Sequence, residues 1–77
     1  MKACVIIDKN IRHGKPIIQG TRITVEEVLG ALAGGMTYEE ITDEYGVDRE
    51  GIRAVIEYAA GWLRGEEITP LEAYHAK

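Results

Sequence analysis

The chain has 77 residues, of which 45% are hydrophobic and 29% charged, and its formal net charge is −4. This length predicts a single domain, and no segment approaches the ~20 apolar residues that span a bilayer. The only cysteine, Cys4, excludes an intramolecular disulfide, and two isolated histidines, His13 and His75, do not support a zinc site. We expect a cytoplasmic protein with no metal and no cofactor. We also expect a homodimer, because burial between two chains would add to the small hydrophobic core of each.

The charge is divided unequally along the chain. Up to Val25 there are five basic residues and one acid, whereas from Glu26 onward there are twelve acids and four basic residues. Phosphate contacts supply most of the affinity of DNA-binding proteins, so the acidic remainder disfavours unaided DNA binding. The basic N-terminal arm is suited to phosphates or to an acidic partner.

Residues 3–23 are predicted to form a β-arm. The run Ala3–Ile7 is rich in β-branched residues and predicts a strand. Because apolar and polar residues do not alternate in this run, both faces of the strand need to be covered. We therefore expect it at or near a dimer contact. Cys4 is expected to be buried there as a small hydrophobe. Pro16–Gln19 predicts a second strand, ended by Gly20.

Residues 24–64 are predicted to form helices, each with its own start signal. Thr24 and Thr37 open capping boxes with a glutamate three residues later, and Asp48 is an N-cap residue. Glycines after each segment favour helix ends. Apolar residues recur at helical spacing in all three segments: Val25, Val28, Leu29, Leu32, Met36; Tyr38, Ile41, Tyr45; Ile52, Val55, Ile56, Ala59, Leu63.

The segment Thr37 to Tyr58 matches a helix-turn-helix: a short helix, a turn with Gly46 and a buried Val47, and a longer second helix. In DNA-binding versions the start of the second helix meets the bases, which makes Arg49 and Arg53 the candidate contacts. The alternative is a plain three-helix core that binds no nucleic acid. The pattern therefore indicates a shape, while DNA binding remains a hypothesis.

Arg22 and its neighbours at the strand-to-helix junction allow two interpretations. Arg22 is a candidate for contact with DNA phosphate or a partner's carboxylate. The interpretation that we favour is that Arg22 joins the arm to the helices by contacting Glu26, Glu27 or an acid on the next helix. Thr21 is expected to hydrogen-bond locally after the turn at Gly20.

Aromatic and apolar residues near the C-terminus are candidates for binding another chain. Tyr58 and Trp62 widen the apolar face of the last long helix beyond what one core needs. Residues 65–77 are predicted to carry a short tail helix, opened by a third capping box at Thr69. Ile68, Leu71 and Tyr74 would be its contacts.

Gly14-Lys15-Pro16-Ile17-Ile18-Gln19-Gly20-Thr21-Arg22-Ile23, with Gly35 to Ile41, Tyr45, Ile52 to Ala54 and Glu57 to Ala59, resembles domain-of-unknown-function family 433. The resemblance covers roughly Ile6 to Arg64. It implies a mainly α fold, a homeodomain-like helix-turn-helix bundle with a small N-terminal β-element. The turn between Tyr45 and Ile52 is one residue shorter than in many members, so no base contacts are carried over.

The resemblance also implies a role. Many members of that family accompany a PIN-like nuclease toxin and resemble its antitoxin, which suggests a toxin partner and promoter DNA. The alternatives are a stand-alone helix-turn-helix regulator and an interaction adaptor without nucleic acid. An enzyme is not expected, because the sequence contains no catalytic constellation of Ser, His, Asp or Cys.

Overall fold

The computed structural model describes residues 3–65, which fold into a small antiparallel sheet and three helices. The expectations for the tail, including the third capping box at Thr69, lie outside these residues. The mainly α fold with an N-terminal β-element is confirmed.

The sheet pairs β1 (Val5–Ile6) with β2 (Ile17–Ile18) in antiparallel register, with Val5 opposite Ile18 and Ile6 opposite Ile17. Both strands are shorter than the sequence predicts. Ile17 also makes an isolated bridge with Thr24, which joins the sheet to the start of the first helix. The arm is therefore part of the folded body.

The prediction that Cys4 is buried is wrong. Cys4 is exposed, and its Sγ lies 3.1 Å from Oε1 of Gln19, to which it donates a hydrogen bond. The sheet has two strands, and Val5 and Ile18 pack against the helices. Because strand side chains alternate between faces, Cys4 lies on the face of the strand opposite to Val5.

The three helices begin where their caps predict: α1 is Val25–Ala33, α2 is Tyr38–Tyr45 and α3 is Arg49–Arg64. In both capping boxes the threonine hydroxyl accepts a backbone N–H, and the glutamate accepts the N–H of the cap residue. Asp48 accepts the N–H of Gly51 at 2.9 Å. These interactions satisfy N–H groups that a helix start leaves without partners.

The core lies between the sheet and the three helices. Its buried members are aliphatic: Ile17, Ile18, Val25, Val28, Ile41, Val47, Ile52 and Val55. The predicted inner faces of α1 and α2 are confirmed, since Leu29, Leu32, Met36, Tyr38 and Tyr45 pack against this cluster.

The predicted apolar stripe of α3 is only partly correct. Ile52 and Val55 are fully buried, whereas Ile56 is 37% and Leu63 86% exposed. Ile56 lines a surface depression with Tyr38, Arg49 and Arg53, and Leu63 lies in the last turn of α3. Both side chains are therefore outside the core cluster.

Candidate helix-turn-helix and partner-binding surfaces

The turn between α2 and α3 holds the two helices at a fixed angle. Gly46 ends α2 in the left-handed conformation, with φ of 74°, which glycine adopts at little cost. Val47 is 3% exposed, and its carbonyl accepts a 2.7 Å hydrogen bond from the hydroxyl of Thr42. The predicted corner residue is therefore confirmed.

Gly51, which packs against this turn, is a residue whose role the sequence analysis did not predict. It is buried in the first turn of α3, and a Cβ there would lie 2.7 Å from Cγ1 of Val47 and 3.7 Å from Cδ1 of Ile18. The distance to Val47 is too short for a Cβ, so glycine allows α3 to approach the turn this closely. The available signal was a glycine three residues after an N-cap, where helix propensity disfavours it.

Arg49 and Arg53, the candidate DNA contacts, lie one turn apart at the exposed start of α3. The guanidinium carbon of Arg49 lies 5.0 Å from the centroid of the Tyr38 ring, which fits a cation–π contact. Arg53 lines one shallow depression with Glu50 and Glu57. Arg49 lines another depression with Glu39 and Asp43, so both arginines stand among carboxylates that repel phosphate.

The junction between the arm and α1 is tied by Arg12, whereas the sequence favoured Arg22. Nη1 of Arg12 donates to the carbonyl of Arg22 at 2.8 Å and to Oε1 of Glu27 at 3.2 Å. Glu26, the other expected partner of Arg22, is held by Nζ of Lys15 at 3.1 Å. The correction has a geometric cause. Arg12 and His13 adopt positive φ values of 50° and 61°, and the resulting tight loop returns Arg12 to the junction.

The pKa of Glu27 lies below its ordinary value. The largest cause is the backbone N–H of Thr24, which donates to the carboxylate, and the hydrogen bond and charge of Arg12 lower the pKa further. Partial burial opposes the shift. Glu27 therefore serves as both helix cap and ion-pair partner.

Arg22 itself is exposed beside the turn that Gly20 and Thr21 form. Gly20 has φ of 84°, and the Thr21 hydroxyl donates to the Ile18 carbonyl at 2.8 Å and accepts the N–H of Ile23 at 2.9 Å. The predicted local hydrogen bonding of Thr21 is confirmed. This turn lies in the arm, apart in sequence from the Arg49 and Arg53 pair, and a DNA contact by Arg22 remains a prediction.

An apolar groove of about 480 Å³ lies between α1 and the C-terminal half of α3. Tyr58 and Trp62, the two aromatic candidates for partner binding, both line it, together with Val25 and Leu29 of α1. Tyr58 is half-buried against the core, whereas Trp62 is 52% exposed. Ile68, Leu71 and Tyr74 lie outside the described residues.

Two absences within residues 3–65 bear on the class of site. Within them, no group of three or more His, Cys, Asp or Glu side chains is placed to hold a metal ion. None of the helices in this range has the length and apolar character needed to cross a bilayer.

The sequence profile of a family described as "Protein of unknown function (DUF433)" matches residues 5–59, from β1 to the middle of α3. The chain belongs to the DUF433 family. The match includes the sheet, the arm and the helix-turn-helix, so the family resemblance of the sequence is confirmed. For DUF433 the shared unit is thus the whole core described above.

Two relatives extend the comparison. The chain is 33% identical over 58 residues to "Putative antitoxin VapB45" of Mycobacterium tuberculosis, which is 75% of this chain and 24% of the relative. It also resembles the crystal structure of Rv2018 from Mycobacterium tuberculosis, with a TM-score of 0.62, 33% identity and coverage of 68% of this chain and 24% of the other. This DUF433 chain spans about a quarter of the length of each relative.

Proposed function

We propose that this chain is the antitoxin-like member of a toxin–antitoxin pair and neutralises a PIN-like nuclease in the cytoplasm. The observation that carries the proposal is its 33% identity, over 58 residues, to a protein named as an antitoxin. The aligned length corresponds to about three quarters of this chain. The proposal therefore concerns a binding protein and assigns it no catalysis.

The acidic surface of α2 is suited to a nuclease partner. Glu39, Asp43 and Glu44 are all exposed on this helix, and no basic residue lies within Tyr38–Tyr45. A nuclease binds the phosphates of RNA through a positively charged cleft. Carboxylates presented on a rigid helix can occupy that cleft and exclude the substrate, and they increase the rate of association with a basic partner.

The test is co-expression with the PIN-like nuclease that the proposal expects to be encoded beside this chain. In the variant Asp43→Lys with Glu44→Lys, charge is reversed near the C-terminal end of α2, where lysine suits the helix dipole and the fold is retained. We expect loss of growth rescue and loss of co-purification. The control, Glu57→Lys, reverses a charge in the interior of α3, away from the helix start, and should still rescue.

The tail is the alternative inhibitory element, and its proposed contacts Ile68, Leu71 and Tyr74 lie outside the described residues. Truncation after Gly65 separates the two surfaces. If the truncated chain still rescues and the α2 variant does not, the acidic helix is the inhibitory surface. If the truncated chain stays folded but fails to rescue growth, while the α2 variant still rescues it, the tail is the inhibitory element. Rescue in the absence of any physical complex would contradict the proposal.

A second part of the proposal is autoregulation through promoter DNA. The observation that favours it is the helix-turn-helix itself, with Arg49 and Arg53 together at the exposed start of α3. The carboxylates around them weaken binding to arbitrary DNA. Regulation therefore requires a specific operator, for which the two arginines supply base contacts.

A further inference from the structure

An apolar groove lies open at the surface between α1 and α3. Its floor and walls come from Val25 and Leu29 of α1 and from Tyr58, Ala59, Trp62 and Leu63 of α3. Trp62 and Leu63 stand beside it at the end of α3, and Leu63 is almost wholly exposed. A cavity and two projecting apolar side chains thus lie on one face.

That arrangement suits a contact between identical chains. In a two-fold symmetric contact each patch meets the same patch of the other chain, so the surface must be complementary to itself. Here Trp62 and Leu63 line the groove and are themselves exposed. Each chain can therefore offer both the projection and its receptor.

The distribution of charge is compatible with the same occupant. The six residues from Tyr58 to Leu63 are uncharged, so two copies of this surface meet without repulsion. The lining includes Lys15 and Glu26, which already pair with each other at 3.1 Å. By contrast, two copies of the acidic α2 would repel one another. Small side chains at Ala59 and Ala60 permit close approach of the helix backbones.

We infer that this groove is the homodimer surface, in which Trp62 and Leu63 of each chain pack against the groove of a second copy. The inference differs from the sequence expectation, which placed the contact at the strand segment Ala3–Ile7. It also does not depend on any nuclease partner. A chain of this size, whose buried core consists of eight aliphatic residues, gains much of its stability from such additional burial.

The experiment uses the full chain alone and follows its molecular mass and its tryptophan emission across a dilution series. Trp62 is the only tryptophan, so the emission reports on this surface directly. We expect a dimer at high concentration with blue-shifted emission. Dilution should produce a monomer and a red shift with the same midpoint.

The variant Leu63→Lys places a charge in the contact without disturbing a core residue. We expect the dissociation constant to rise about a hundredfold or more, because one apolar contact is lost from each of two chains. The matched control is Ile7→Lys, which changes another exposed aliphatic residue, on the strand arm. It should leave the dissociation constant within about threefold of the wild type, which is less than 1 kcal/mol.

Three outcomes would overturn the inference. The first is a monomer at every concentration. The second is a dimer whose Trp62 emission does not change on dissociation. The third is a dimer that Ile7→Lys disrupts and Leu63→Lys does not, which would assign the contact to the strands. All three are independent of growth rescue, so they are distinguishable from failure of the antitoxin proposal.

Discussion

Gly51 passes so close to Val47 that a Cβ at position 51 would lie 2.7 Å from Cγ1 of the valine. Val47 has no free space to move into, since it is 3% exposed and its β-branched side chain has few rotamers. The contact joins the turn to the first turn of α3. It therefore determines where Arg49 and Arg53 stand relative to α2.

The first prediction is that Gly51→Ala destabilises the protein although alanine favours helix by up to about 1 kcal/mol. Overpacking against Val47 should reduce the free energy of unfolding by about 1–3 kcal/mol. Chemical denaturation measures the change. The control is Gly30→Ala in α1, where a Cβ meets nothing within 4 Å, and we expect it to stabilise by about 0.5–1 kcal/mol. Equal effects of the two substitutions would contradict the packing argument.

The second prediction distinguishes two isoleucines that lie four residues apart on α3. Ile52→Ala should lower the free energy of unfolding by about 2–5 kcal/mol, since the side chain is fully buried. Ile56→Ala should cost less than about 1.5 kcal/mol, because Ile56 is 37% exposed and buries less apolar surface. Thermal or urea unfolding of both variants at one protein concentration tests this. A similar loss of unfolding free energy in both variants would show that Ile56 contributes to the core as Ile52 does.

The third prediction concerns acid. The pKa of Glu27 is lowered by Thr24 and Arg12, so its contribution to stability is fully present above its ordinary value of 4.5. It is lost as the pH falls below that value through the folded-state pKa. The free energy of unfolding of the wild type should therefore decline more steeply below about pH 4.5 than that of Glu27→Gln. Parallel curves would show that neither the Thr24 N–H nor Arg12 stabilises the ionised carboxylate of Glu27.

The matched control for Glu27 is its neighbour Glu26, whose carboxylate pairs with Lys15 in a largely exposed position. At neutral pH, Glu27→Gln should cost about 1 kcal/mol or more, because a charge-assisted bond within a cap is weakened. Glu26→Gln should cost between 0 and about 1 kcal/mol. The two curves measured side by side separate the cap from a surface ion pair.

The fourth prediction concerns DNA. Arg49→Ala with Arg53→Ala should abolish specific binding to the promoter of this chain, and wild-type binding to random duplex should be weak and steeply dependent on salt. Mobility shifts at several salt concentrations provide the measurement. Arg22→Ala on the arm is the control. Loss of binding in that variant alone would move recognition from α3 to the arm.

The sequence by itself determined the local elements. Thr24, Thr37 and Asp48 predicted the three helix starts, because a cap is an interaction among residues within one turn. The family string around Gly20 to Ile23 identified DUF433, and Thr21 made the local bonds expected after a glycine turn. Each of these depends on neighbours in the chain, which the sequence displays directly.

The tertiary structure decided which of several residues with the same sequence pattern is buried and which forms the ion pair. Periodicity alone treats Ile52, Ile56 and Leu63 alike, but burial depends on how far α1 and the sheet extend along α3. Arg12, and not Arg22, pairs with Glu27, because the loop with positive φ brings Arg12 to the junction. The sequence does not indicate this loop. The requirement for Gly51 likewise arises from the distance between α3 and a turn. Such distances are properties of packed elements, since they depend on helix lengths and crossing geometry and not on any local pattern.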